Sequence, residues 1–154
     1  MIKFLDIYKQ DKKIINLILY DLKKIIIKNN FILGNEVTKF EKKFSEFCGA
    51  KFGIGCANGT DALLIALKAL NLKKNSEVLI PAMTYCSTAF SVIHAGLKPV
   101  LIDTDYLSPT IKIEDLKKKI NKNTKVILPV HLYGSVVDIS KIKRMLKKQV
   151  VLYT

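Results

Sequence analysis

The sequence predicts an α/β fold, a mostly parallel β-sheet between layers of helices, on three observations. Five short apolar runs (Phe52–Ala57, Val78–Ala82, Pro99–Ile102, Val126–Val130 and Val150–Tyr153) alternate with stretches of helical character, and such alternation demands crossover connections between parallel strands. The runs are continuously apolar rather than alternating, as in strands covered on both faces. The chain has 154 residues, 49% of them hydrophobic, which suits one ordinary domain with a buried core.

Taken in order, the first element is a helix over residues 11–30. Its residues Ile14, Ile15, Ile18, Leu19, Leu22, Ile25 and Ile26 recur at helical spacing and form one apolar stripe. Asn29 and Asn30 end it, and a break follows at Phe31-Ile32-Leu33-Gly34. A second helix is expected from about Glu36 to Phe47, with Val37, Phe40, Phe44 and Phe47 on one face and Gly49 as its C-terminal stop. Beyond it come the five runs, with helices expected at about 60–71, 85–95, 113–120 and 138–147. The break divides the chain into an N-terminal helical arm, residues 1–34, and an α/β part, residues 35–154. The last run reads as a strand with no covering helix after it, so the α/β part is expected to be C-terminally truncated.

Charge and cysteine content narrow the function classes. The net charge is +13, from 26 basic and 13 acidic residues. The lysines are spread along the whole chain, their densest groups fall on expected helix faces, and Arg144 is the only arginine. That pattern reads as a solvated surface rather than a nucleic-acid interface, which favours the guanidinium fork. No apolar run approaches the roughly 20 residues needed to span a bilayer, and no secretory leader core follows Met1. A cytoplasmic location is the expectation. Cys48, Cys56 and Cys86 form no CxxC pair and are odd in number. Neither a disulfide framework nor a metal site is expected, and all three are read as small buried apolar residues.

Three strand ends carry candidate chemistry. The run Phe52–Ala57 leads into Asn58-Gly59-Thr60-Asp61 and then a nearly all-apolar helix. A helix N-terminus offers unpaired N–H groups and the positive end of a dipole, Gly59 permits close backbone approach, and Thr60 adds a hydroxyl. Asp61 can offer its backbone N–H while its carboxylate turns away from an anion. The same residues also fit a capped turn with no ligand. The spacing matches neither a P-loop nor a dinucleotide fingerprint. The second site, Pro81-Ala82-Met83-Thr84-Tyr85-Cys86-Ser87-Thr88-Ala89, sits where open parallel sheets bind ligands. Tyr85 there reads either as a platform for a flat ligand or as a packed core tyrosine. The third is Pro129-Val130-His131-Leu132-Tyr133-Gly134, in which His131 reads as a structural residue before a proton-transfer base. His94 lies near the end of a helix, where a cation suits the dipole.

Several blocks in one order resemble the DegT-type sugar aminotransferases. They are Phe4-Leu5-Asp6, Phe31-Ile32-Leu33-Gly34-x-x-Val37-x-x-Phe40-Glu41, Asn58-Gly59-Thr60-Asp61-Ala62-Leu63, and Glu77-Val78-x-Ile80-Pro81-x-x-Thr84-Tyr85. Ala95-Gly96-x-Lys98-Pro99-Val100-x-x-Asp103-x-Asp105 and Val130-His131-Leu132-Tyr133-Gly134 with Asp138 complete the set. The resemblance implies the type I fold of pyridoxal-phosphate enzymes, a homodimer, and transfer of an amino group from glutamate to a nucleotide-linked keto-deoxysugar for glycan or antibiotic-sugar synthesis. By position it implies that Gly59, Thr60 and the Asp61 backbone bind the phosphate of pyridoxal 5′-phosphate and that Tyr85 stacks on its ring.

The family's Schiff-base lysine and the aspartate on the pyridine nitrogen belong to blocks downstream of those matched here. The resemblance therefore implies no catalytic residue within 1–154 and an inactive chain on its own. It also implies that the neighbours of the strand Phe52–Ala57 come from later sequence. A non-catalytic binding or pairing protein on half of the fold, and a sugar dehydratase on the same scaffold, stand beside the aminotransferase reading.

Overall fold

The computed structural model of the protein describes residues 4–146 and 150–151. The chain falls into two compact units, residues 1–55 and residues 56–154. The second helix of the sequence reading therefore groups with the N-terminal helices, not with the α/β part.

The N-terminal unit holds α1 (Ile7–Asp11), α2 (Ile15–Ile27) and α3 (Asn35–Phe47). The single helix expected over 11–30 is in fact α2, with the short α1 before it, and Asp6 caps α1 by accepting from the Lys9 N–H. The stripe on α2 is amphipathic as its spacing dictates, yet no described residue of α2 is buried. Phe40, Phe44 and Phe47 line one face of α3, with the first two rings stacked at 5.4 Å.

The run Phe52–Ala57 is not a strand. It is extended but pairs with no other strand among the described residues, and Phe52 and Ile54 are exposed. Its first residues lie along α3 instead: the Gly55 N–H donates to Glu41 Oε1 at 2.6 Å. A Cβ on Gly53 would stand 2.5 Å from the Glu41 carbonyl oxygen, so only glycine permits this approach. Apolar content marks this segment for burial in a sheet, but a strand exists only where partners supply the ladder.

The second unit is the expected α/β sandwich. It runs α4 (Gly59–Ala69), β1 (Glu77–Pro81), α5 (Ser87–His94), β2 (Lys98–Ile102), the antiparallel hairpin β3 (Thr104–Asp105) and β4 (Ser108–Ile111), α6 (Ile113–Lys119), β5 (Thr124–Ile127), a 3-10 turn (Leu132–Gly134), α7 (Ile139–Met145) and β6 (Val150–Val151). The main sheet has the order β2-β1-β5-β6 and every pairing in it is parallel. The expected last strand is present as Val150–Val151, and its continuation to Tyr153 lies outside the described residues.

Side chains alternate across the sheet and feed two cores. Val78, Ile80, Val126 and Leu128 pack with Leu67 of α4 and Val92 of α5 on one face. Leu79, Ile102 and Ile127 pack with Leu116 of α6 and Ile142 of α7 on the other. The hairpin escaped the sequence reading because a two-residue strand and a four-residue one interrupted by Pro109 leave no period to detect. The cysteines correct the expectation of burial: all three are exposed. Cys48 caps the end of α3, Cys86 precedes α5, and Cys56 lies in the turn before α4, and helix boundaries face solvent. Among the described residues no helix is long and apolar enough to cross a membrane.

One polar group is locked inside the sheet. Glu77, 8% exposed, accepts from Asn121 Nδ2 at 2.8 Å and pairs with Lys98 Nζ at 3.1 Å. The bond from Asn121, then that from Lys98, hold its pKa below the ordinary glutamate value. A lowered folded-state pKa contributes stability above the unfolded value that is lost as pH falls through the folded one. The urea midpoint is therefore expected to drop below roughly pH 4.3, and Glu77→Gln to remove that part of the slope in a pH series of urea melts. In the core, Ile80→Ala should cost about 2–5 kcal/mol, whereas Leu107→Ala, on the exposed hairpin, should stay within about 0.5 kcal/mol in the same assay.

Candidate functional site

The order β2-β1-β5-β6 fixes where a ligand fits. From β1 the chain moves outward to β2, then returns to place β5 on the other side of β1. The connections leaving β1 and β5 diverge, and open parallel sheets carry their binding crevice at such a point, outside the strands' carboxyl ends. A cavity of about 620 Å³ lies there. Thr84 and Tyr85 come from the segment after β1, Val130 and His131 from the segment after β5, and Gly59 and Thr60 from the start of α4. Its size falls within the range of small-molecule sites, about 300–1,000 Å³.

The start of α4 is organised by its own turn. Asn58 is the N-cap, and its Oδ1 accepts the Asp61 N–H at 2.9 Å. Asn58 Nδ2 donates to the Asp61 carboxylate at 3.0 Å. Both atoms of the amide are thus occupied by Asp61, whose charge suits the positive end of the helix. The Asp61 N–H, expected as an anion ligand, is engaged in capping, and Asp61 does not line the cavity. The N–H groups of Gly59 and Thr60 precede the first intrahelical bond and have no acceptor within α4. A Cβ built on Gly59 would meet nothing within 4 Å, so the space beside its Cα is open.

Thr60 is tied to α5. Its hydroxyl donates to Ser87 Oγ at 2.8 Å, and Ser91 Oγ donates to the Thr60 carbonyl at 3.1 Å and the Ser87 carbonyl at 2.7 Å. Thr84 and Thr88 share a further hydroxyl bond at 3.0 Å. The Thr60 proton is engaged in the bond to Ser87, while Ser87, which lines the cavity, keeps its own hydroxyl proton to donate. Ser87 lies within the second candidate segment, but the sequence reading gave it no role. The signal was there in the spacing of Thr84, Ser87, Thr88 and Ser91, which recur at helical intervals as a hydroxyl stripe.

Tyr85 lines the cavity and is 73% exposed, which rules out a packed core tyrosine. His131 lies across from it in the chain's later segment, with Nδ1 accepting the Val137 N–H at 3.0 Å. That bond spans a tight loop in which Tyr133 has φ 53° and Gly134 φ 81°, both left-handed. His131 is thus satisfied on one side by structure, as the sequence reading favoured. Gly59, Thr60 and Tyr85 meet at one cavity, and Asp61 stands outside it. None of the residues lining the cavity is a lysine or a carboxylate. A second cavity of about 620 Å³ lies by the hairpin, lined by Asp103, Asp105, Lys112 and Tyr133 among others.

Fold and site together define an α/β protein that presents helix N-terminal donors and an aromatic ring at a topological switch point. The model of the DegT/DnrJ/EryC1/StrS aminotransferase family matches residues 12–153, and the chain belongs to that family. It is 38% identical over 148 residues to a UDP-2-acetamido-2-deoxy-3-oxo-D-glucuronate aminotransferase of Pseudomonas aeruginosa, covering 96% of this chain and 41% of that protein. It is 36% identical, with the same coverage of both chains, to a dTDP-3-amino-3,6-dideoxy-alpha-D-galactopyranose transaminase of Aneurinibacillus thermoaerophilus. The chain spans about two fifths of the length of these relatives.

Among solved structures, a DegT DnrJ EryC1 StrS aminotransferase from Brucella abortus superposes with a TM-score of 0.89 at 30% identity, covering 99% of this chain and 43% of that one. An E. coli GDP-4-keto-6-deoxy-D-mannose-3-dehydratase with bound hydrated PLP superposes with a TM-score of 0.80 at 27% identity, covering 85% and 36%. The α/β architecture is accordingly that of the pyridoxal-phosphate aminotransferases.

The Asn58 cap can be tested without any ligand. Asn58→Ala removes the acceptor of the Asp61 N–H and should lower stability by about 1 kcal/mol, read as a shift in the urea midpoint. Asn58→Ser, which retains a capping oxygen, should recover most of it.

Proposed function

We propose that this chain provides the phosphate-binding and ring-stacking side of a pyridoxal-phosphate site in a nucleotide-sugar aminotransferase. One observation carries the reading: Gly59 and Thr60 at a helix start, Ser87 and Tyr85 line a single cavity at the switch point of a parallel sheet. The donor set fits the cofactor's phosphate. It consists of N–H and O–H groups at the positive end of a helix of 11 residues, with no carboxylate among the cavity-lining residues. Tyr85 supplies a flat apolar face of the kind on which a pyridine ring stacks.

In this reading Gly59 and Thr60 hold phosphate oxygens through their N–H groups, Ser87 adds a hydroxyl, and Tyr85 fixes the plane of the ring. Asn58 keeps the Asp61 carboxylate from competing, because it binds that carboxylate through its own amide. Pyridoxal phosphate, when bound, supplies the electron sink for moving an amino group. The amino donor is glutamate and the acceptor a keto sugar carried on a nucleotide. The enzyme works as a homodimer in the cytoplasm. The lysine and the carboxylate that such chemistry needs are not among the cavity-lining residues, so this chain binds the cofactor without bonding to it and has no turnover by itself. The likeness to the dehydratase supports a second reading, loss of a sugar hydroxyl on the same scaffold, with the same role for these residues.

The probe is 4-deoxypyridoxine 5′-phosphate, which lacks the aldehyde and so cannot be trapped by surface lysines. Equilibrium dialysis should show saturable binding to the chain and much weaker binding of the same compound without its phosphate. Tyr85→Ala and Ser87→Ala should each weaken binding about 3- to 20-fold, by roughly 1 kcal/mol or more apiece. Equal affinity for the phosphorylated and dephosphorylated probes would overturn the assignment.

A further inference from the structure

The loop after β5 has one group that the site as described leaves unused, the Nε2 edge of His131. The ring's two nitrogens differ in what surrounds them. Nδ1 accepts the backbone N–H of Val137 at 3.0 Å, and Val137 is itself buried in the core beneath α7. A nitrogen that accepts an N–H carries no proton, so in the neutral ring the proton sits on Nε2. His131 also lines the same cavity as Gly59, Thr60, Tyr85 and Ser87, and its Nε2 has no hydrogen-bond partner among the described residues.

The backbone reinforces this orientation. The loop turns through two left-handed residues, Tyr133 and Gly134, and Ser135 N–H closes it onto the Leu132 carbonyl at 2.9 Å. Asp138 then caps α7 by accepting the Lys141 N–H at 2.9 Å. The Val137 amide is therefore held between a closed turn and a capped helix, and the imidazole bonded to it is held as well. With Nδ1 engaged by the loop, Nε2 is the remaining polar atom of a ring whose residue lines the cavity.

We propose that His131 is a ligand-binding residue that donates through Nε2–H to an oxygen of the molecule seated between Tyr85 and the start of α4. It is a fixed neutral donor, and its task is to orient the ligand rather than to carry a proton to or from it. This rests on the cavity being the cofactor site proposed above, and it adds a contact to a part of the ligand that the α4 donors do not hold. An imidazole locked in one tautomer recognises an acceptor oxygen and rejects a donor at that place, so it contributes to selection as well as affinity.

Two substitutions separate the clamp from the donor. In His131→Asn the amide group stands where Nδ1 stands, so the Val137 bond is kept and the donor to the cavity is lost. In His131→Gln the amide reaches as far as Nε2, so a donor is kept and the clamp is lost. With 4-deoxypyridoxine 5′-phosphate as the probe, His131→Asn should bind about tenfold more weakly, the equivalent of one hydrogen bond, while melting at the temperature of the parent chain. His131→Gln should melt lower yet bind more tightly than His131→Asn. In long-range proton–nitrogen NMR spectra of the ligand-free chain, the His131 ring should show the Nε2–H tautomer, and the probe should shift Nε2 more than Nδ1.

A proton on Nδ1 in those spectra overturns the proposal. So does a binding loss that follows the melting temperature across both variants, which describes a loop clamp alone. If Tyr85→Ala weakens binding and His131→Asn does not, this proposal fails and the cofactor site stands. If the parent chain discriminates nothing between the phosphorylated and dephosphorylated probes, the site assignment fails first and the proposal with it.

Discussion

Strand β1 is the constraint from which the rest of the second unit follows. All five of its residues, Glu77 to Pro81, are buried, with β2 on one side and β5 on the other. A strand in that position must be apolar toward both helical layers, and Val78, Leu79 and Ile80 send their side chains alternately into the two cores. The one charge in it, Glu77, lies at its first residue, where Asn121 and Lys98 can reach it. Because β1 is central, its C-terminal end opens onto the point where the connections diverge. The cavity, Tyr85 and the hydroxyl stripe of α5 are all placed by that fact.

What the sequence disclosed and what it withheld divide along physical lines. Continuous apolar runs of about five residues marked β1, β2 and β5 because sheets buried on both faces leave no polar alternation. The same criterion failed for Phe52–Ala57. Its composition records a demand for burial, but a strand is made by partners, and none of the described strands pairs with it. Likewise the spacing of isoleucine and leucine on α2 identified the apolar face correctly without identifying what covers it, and the stripe is exposed. Pattern reports what an element requires, and only tertiary structure reports whether the requirement is met.

The candidate site was legible in kind and inaccurate in detail. The turn Asn58-Gly59-Thr60-Asp61 reads correctly as a helix start. Two of its expected donors are nonetheless engaged elsewhere: the Asp61 N–H by the Asn58 side chain, and the Thr60 hydroxyl by Ser87. Local sequence names the groups available at a helix N-terminus but does not show how they are shared with one another, or with a second helix 27 residues away in the chain. The Thr60–Ser87 bond depends on α4 and α5 packing side by side over the same core, which no window of sequence contains.

That sharing has a chemical consequence. A helix N-terminus with an aspartate in its first turn would ordinarily trade part of its attraction for an anion against the carboxylate's own charge. Here the Asn58 amide holds both the carboxylate and the N–H of Asp61, and neither residue lines the cavity. The helix keeps its cap while the Gly59 and Thr60 N–H groups have no acceptor within α4. Ser87, oriented by Thr60 and by the packing of α5, restores a hydroxyl donor from the neighbouring helix. The groups that cap this helix end and those proposed to bind an anion there are thus different atoms, so the proposed binding leaves the cap intact.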